Sequence, residues 1–204
     1  MCEYKSGSES WDTTNFISDN YDNRFTVQLG EYNPCSWNEY IEINNCYSYA
    51  CNIIIKRKDG DPPNPGYCEN KRKPEDEEET IKGAEGDGLI KISSDMKYVT
   101  GTDKNPVWIV GLVTYHTKDT NEFGYHWYRR VWDKQTDHTF WAHKFYTDPV
   151  NNLSIDGGLI MNPEEESKKL SEKHWDSYKW GGYFLVPNGV FWEDKTRDTT
   201  ICNC

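Results

Sequence analysis

Long apolar runs are missing from this chain: no uninterrupted hydrophobic stretch approaches the roughly 18 residues that cross a bilayer, so no membrane-spanning helix is expected. The opening, MCEYKSGSESWD, also lacks the apolar centre of a secretory signal. As it stands the chain reads as cytoplasmic, with a secreted protein as the alternative if a leader was removed and Met1 added. Basic residues are scarce too, 23 Lys and Arg against 34 Asp and Glu, for a formal charge of −11. Binding phosphates requires Lys and Arg to neutralise them, so neither nucleic acid nor an anionic membrane is expected as a partner. There is no CxxC pair, no internal repeat and no low-complexity tract, which argues against a zinc ribbon and against a solenoid. Hydrophobic content is low for a globular chain, at 35% with a mean hydropathy of −0.93.

What is present in quantity is aromatic. Nine Trp, fourteen Tyr and seven Phe supply large buried areas that a disordered chain would lack. A length of 204 residues suits one domain with a sizeable core, read here as an N-terminal arm over 1–33, a core over 34–187 and a tail over 188–204. The seven cysteines, Cys2, Cys35, Cys46, Cys51, Cys68, Cys202 and Cys204, are odd in number. Either all are thiols, or up to three bridges form and one stays unpaired.

Along the chain, Arg24 to Leu29 reads as a strand. In NNCYSYACNIII, Asn44 and Asn45 are good cap types, and a helix is expected to begin at Cys46 and to carry Cys46, Tyr49 or Ala50, and Ile53 along one stripe, with Cys51 a buried small side chain in its middle. The prolines at 62, 63 and 65 mark a loop, and Pro74 to Glu85 reads as a short helix with acids in its first turn. LIKI and Asp95 to Thr100 are strand candidates. VWIVGLVTY, Val107 to Tyr115, is nearly all apolar and predicts a central strand buried on both faces. Two aromatic strands, Gly124 to Trp132 and Thr139 to Tyr146, then complete an antiparallel meander. Pro163 to about Leu170 reads as a polar helix, and Lys179 to Val186 as a last strand.

The hairpin of the meander carries two histidines. A turn centred on Lys134 and Gln135 places His126 opposite His143, side chains on one face about 5 Å apart at Cβ. Cys46, in the first turn of its helix, would sit where unpaired N–H groups and the positive end of the dipole favour a thiolate. His126 would then take the thiol proton through Nε2, with His143 accepting from its Nδ1 hydrogen and fixing the tautomer. The Cys46 N–H is the first oxyanion donor expected, with Tyr40 or Asn45 as the second, and Tyr128 flanks His126 as a substrate-contact candidate. Arg129 and Arg130 read as a surface pair, and His116, His138 and His174 as plain surface.

This order of a helix with cysteine and strands with histidine, carried by NCYSYA, GYHWYR and FWAHK, resembles the papain-like cysteine hydrolases in their NlpC/P60 and CHAP arrangement. The resemblance covers roughly residues 44–146. It implies an α+β, papain-like fold with the nucleophile's helix packed on a central antiparallel sheet, and an amide-cleaving Cys46-His126-His143 triad with a thioester intermediate and no cofactor or metal. The usual Asp-Cys-Ser-Gly run is replaced by Asn45-Cys46-Tyr47-Ser48. The acidic charge favours a peptide or protein substrate, as for a protease or toxin-like effector, over anionic cell wall. The alternatives are an acyl transferase or deamidase on the same thiol, a non-catalytic aromatic-rich module binding sugar or peptide, and a zinc site on Cys46, His126 and His143 or on Cys35, Cys46, Cys51 and Cys68.

Overall fold

A computed structural model describes residues 12–13, 26–54, 62–67, 72–92, 106–174, 177–187 and 202–203. The elements in order are β1 (Asp12–Thr13), β2 (Thr26–Glu31), a 3₁₀ segment (Pro34–Ile43), α1 (Cys46–Ala50), β3 (Ile53–Ile54), α2 (Glu77–Gly86), β4 (Ile90–Ile92), β5 (Pro106–His116), β6 (Phe123–Asp133), β7 (His138–His143), α3 (Pro163–His174), β8 (Ser177–Pro187) and β9 (Cys202–Asn203). The body is an α+β sheet of five antiparallel strands in the order β7-β6-β5-β8-β4. At one end β2 lies parallel against the start of β5 and the end of β6, with β1 antiparallel to it. β3 and β9 make a separate two-stranded pair.

The expected central strand is β5, flanked by β6 and β8, with Ile109, Val110, Leu112 and Val113 sealed from solvent. Alternation along the strands sends side chains to two different cores. Val110 and Leu112 of β5, Tyr125 and Trp127 of β6 and Phe184 and Val186 of β8 pack under α1. Ile109, Val113, Tyr128, Trp141 and Leu185 form the core on the other face, where Ile160 and Trp180 join them. A third cluster, of Trp37, Tyr49, Val131, Phe140 and Ala142, closes the α1 side beyond the end of the helix.

Several boundaries move from the sequence reading for local reasons. The helix expected from Cys46 through Ile53 stops at Ala50, because Asn52 at φ 56 turns the chain into β3. The helix expected from Pro74 begins at Glu77, because the Asp76 side chain accepts from the Glu79 N–H and caps it there. The second hairpin strand ends at His143, where the chain leaves β6 and turns through Tyr146 at φ 41. Arg129 is buried, so it is no surface group: its guanidinium donates to the Tyr49 carbonyl (3.2 Å) and to Asn52 Oδ1 and lies 4.2 Å from the Tyr49 ring, tying off the end of α1. Cys35 is disulfide-bonded, which sets aside both the all-thiol reading and the four-cysteine zinc site, while Cys46 and Cys51 are buried thiols. The strand expected over Asp95 to Thr100 lies outside the described residues.

Candidate active site

Asn45 and Ser48 make α1 start where it does. Asn45 Oδ1 accepts from the N–H groups of Tyr47 (3.0 Å) and Ser48 (3.1 Å), and Ser48 Oγ accepts from the Asn45 N–H (3.0 Å), a reciprocal capping box. Asn45 Nδ2 donates to the Pro63 carbonyl at 2.7 Å. With both ends of its amide so engaged, Asn45 holds the helix start rather than serving as an oxyanion donor. Below it, the buried Asp87 carboxylate accepts from Tyr47 Oη and from the N–H groups of Gly66 and Tyr67, at 2.8, 2.8 and 3.1 Å. That one side chain locks α1, the 62–67 loop and the end of α2 together.

Cys46 is the first residue of α1, 6% exposed, in the core with Tyr125 and Trp127. The backbone N–H groups of Trp127, Cys46 and Tyr47 around the sulfur lower its pKa, as does the Lys144 ammonium nearby. Burial outweighs them all and pushes the thiol up to about 12. The sequence expectation of a thiolate favoured by the helix start is therefore corrected: removal from water costs the anion more than the N–H groups return. The resting group is a neutral thiol.

His126 and His143 do meet, by a different register. Tyr128, not His126, pairs with His143, so the two imidazoles are diagonal neighbours on one face. The turn is centred one residue later than the sequence reading placed it. His126 Nε2 lies 2.7 Å from His143 Nδ1, and His143 Nε2 lies 3.0 Å from Asn151 Oδ1. The direction of this relay follows from Asn151, whose Oδ1 also accepts from the Leu153 N–H at 3.0 Å. An amide oxygen only accepts, so His143 carries its hydrogen on Nε2 and its bare Nδ1 accepts from His126 Nε2–H. The ring nitrogen expected to face the thiol is therefore the one given to His143, and Nδ1 of His126 is the nitrogen left over. Burial holds His126 well below the ordinary 6.5, with His143 adding to the shift, and burial lowers His143 as well. Both rings are neutral at physiological pH.

The thiol and the relay lie on opposite faces of β6. The Trp127 N–H that reaches Sγ belongs to the peptide bond joining His126 to Trp127, one residue past the last β6–β7 pair. The His126 ring itself points to the opposite face, beside Tyr128, at 4.9 Å between centroids and 88° between planes. No hydrogen bond joins Sγ to either imidazole among the described residues. Tyr128, the substrate-contact candidate, is buried against both rings and lines the same cavity. Tyr40, the other oxyanion candidate, packs in the third cluster with Trp37 and Tyr49, and its carbonyl accepts from Asn44 Nδ2. His116 and His138 are exposed.

Three participants were not read from the sequence. Asn151 is the third member of the relay, brought to His143 by an isolated bridge in which their N–H and C=O groups pair at 2.8 and 2.9 Å. Lys144 is 0% exposed, its ammonium donating to the Ile41 carbonyl (2.7 Å) and the Tyr146 carbonyl. Burial brings its pKa down to about 8. The third is a cavity of about 350 Å³ on the histidine face, lined by His126, Tyr128, His143, Asn151 and Glu166 among others. A lysine directly after His143 in a strand of alternating burial was the one available signal for Lys144, since its side chain had to point under α1. No family model, curated protein or solved structure matches the chain.

Proposed function

We propose that this protein is a papain-like cysteine hydrolase acting on an amide bond, with Cys46 as nucleophile, His126 as base and His143 with Asn151 as the orienting relay. One observation carries the reading. The backbone N–H groups around the Cys46 thiol include that of Trp127, the residue next to His126, while Nε2 of His126 is already bonded to His143, which leaves Nδ1 as the ring's acceptor for a proton. A neutral thiol and a neutral imidazole fit proton transfer during attack rather than a standing ion pair. The two lie on opposite faces of β6, so the mechanism requires the His126 ring to turn to the thiol's side when substrate binds. As Sγ bonds the carbonyl carbon, its proton then passes to His126 Nδ1. The same proton then leaves with the amine, and water repeats the cycle on the thioester. The N–H groups of Cys46 and Trp127 near sulfur are the donors at hand for the developing oxyanion, since that of Tyr47 is held by Asn45 Oδ1.

An acyl transferase or deamidase would use the same thiol and differ only in what receives the acyl group. The cavity separately favours the non-catalytic reading, because about 350 Å³ is within the range of ligand sites. The disulfide at Cys35 fits an oxidising compartment better than the cytoplasm. Acidity supports a peptide or protein substrate over an anionic polymer.

The deciding experiment incubates wild type and Cys46→Ala separately with a denatured proteome and with cell-wall sacculi, then maps new amino termini. Wild type should create them in protein and Cys46→Ala should not, at unchanged circular dichroism. New termini from Cys46→Ala, or none from wild type, reject the assignment.

A further inference from the structure

Glu166, on α3, is 4% exposed and lines the cavity that holds the two histidines. Its carboxylate accepts from Ser154 Oγ at 2.5 Å and from the Ile155 N–H at 2.8 Å. Ser154 Oγ in turn accepts from the Asp156 N–H (3.4 Å), which leaves the hydroxyl proton for Glu166. Among the described residues no Lys or Arg forms a salt bridge with Glu166: Lys168 pairs with Glu164 and Lys173 with Asp156, and Lys169, near enough to feel the Glu166 charge, is itself paired with Asp156. A buried carboxylate with no cation in contact gains from one, and this one lines a cavity walled by the rings of Tyr115, Tyr128 and Tyr178. Aromatic faces and a carboxylate together select a cation. The mouth is apolar, since Phe145 and Leu153 line the cavity and are exposed.

We propose that this cavity is a subsite for a basic side chain, an ammonium or guanidinium on an aliphatic stem, seated with its charge against Glu166 and its stem along the tyrosine rings. That the side chain belongs to the residue next to the scissile amide rests on the cysteine-hydrolase reading. Binding of the side chain does not. A second role of Glu166, pinning the 154–155 turn to α3, is kept by an isosteric amide.

The test compares N-acetyl-lysine methylamide with its uncharged counterpart N-acetyl-norleucine methylamide, titrated into Cys46→Ala protein and followed by the imidazole NMR signals of His126 and His143. The lysine compound should bind at least about tenfold more tightly, and Glu166→Gln should bring the two within about twofold with an unchanged melting temperature. Equal binding of the two compounds by the Cys46→Ala protein overturns the proposal without recourse to any change at Glu166. A lysine preference that survives Glu166→Gln overturns it as well. If the preference holds while wild type cleaves nothing, the hydrolase reading fails and the basic subsite stands. If cleavage occurs with no preference, the reverse follows.

Discussion

At His126 the difference between a base and its orienter becomes measurable. His126 would carry the proton, whereas His143 holds its tautomer through one hydrogen bond and is itself held by Asn151. An amide at position 143 can still accept from His126 Nε2–H, so His143→Asn should retain measurable turnover and His126→Asn none. Asn151→Ala should lie between them, because it frees the second ring without removing it. Lys144 gives a second residue-level expectation. Its ammonium favours the anion on Cys46, and it loses that charge above about pH 8. Turnover should therefore fall as pH rises through about 8, and Lys144→Met should lower the rate roughly tenfold and remove that limb. An alkaline limb that persists in Lys144→Met would reject the role. Because burial keeps the thiol neutral, plain iodoacetamide should label Cys46 slowly near neutral pH, while an acyl electrophile shaped like a substrate labels it during turnover.

The elements show why some of this was legible and some was not. The start of α1 was readable because Asn45, a good cap type, stands directly before an aromatic, cysteine-bearing run, and the structure uses that cap twice over. Asn45→Ala should cost about 1 kcal/mol for the cap and more for the lost hold on Pro63, read as a lower melting temperature. β5 and β6 were readable because their aromatic and β-branched runs exceed any loop. The register of the hairpin was not, since nothing in Asp133–His138 distinguishes two turn centres one residue apart. The face of each histidine survived because moving the centre by one residue displaces the paired position by two. α2 was drawn too long because Pro74 is a good first-turn residue, but Asp76 has the better capping side chain. Its Gly83 could not be interpreted without the fold: a Cβ there would lie 2.6 Å from the Pro65 carbonyl carbon. Gly83→Ala should destabilise by about 1–3 kcal/mol, by chemical denaturation, and an unchanged midpoint would mean that the 62–67 loop yields freely.

For the molecule as a whole, burial of neutral histidines ties stability to acidity. A histidine whose folded pKa lies below its unfolded 6.5 binds fewer protons folded than unfolded in the interval between the two values. Stability is then intact above about pH 6.5 and is lost as pH falls below it, at up to about 1.4 kcal/mol per pH unit for each ring. The melting temperature should drop below that pH, and less steeply in His143→Gln. A slope unchanged by that substitution would place the acid sensitivity in the carboxylates. Charge is the whole-molecule property that composition gave directly, and aromatic content foretold the density of the cores. Long-range placement was beyond it: neither spacing nor periodicity brings Asn151 or Glu166 to a hairpin that precedes them.

The small hairpin from Asn151 to Ile160 has a consequence apart from chemistry. It bridges to β7 at His143↔Asn151 and Trp141↔Ile160, closes on itself at Leu153↔Leu159, and turns through Gly157 and Gly158. It thus occupies the side of β7 away from β6, where a bare strand would otherwise offer its N–H and C=O groups to another copy of the chain. The segment that supplies the relay's last member is also the hem of the sheet. Proteolytic nicking between Gly157 and Gly158 would loosen both at once, so loss of turnover and the onset of strand-to-strand self-association, followed by light scattering, should appear together.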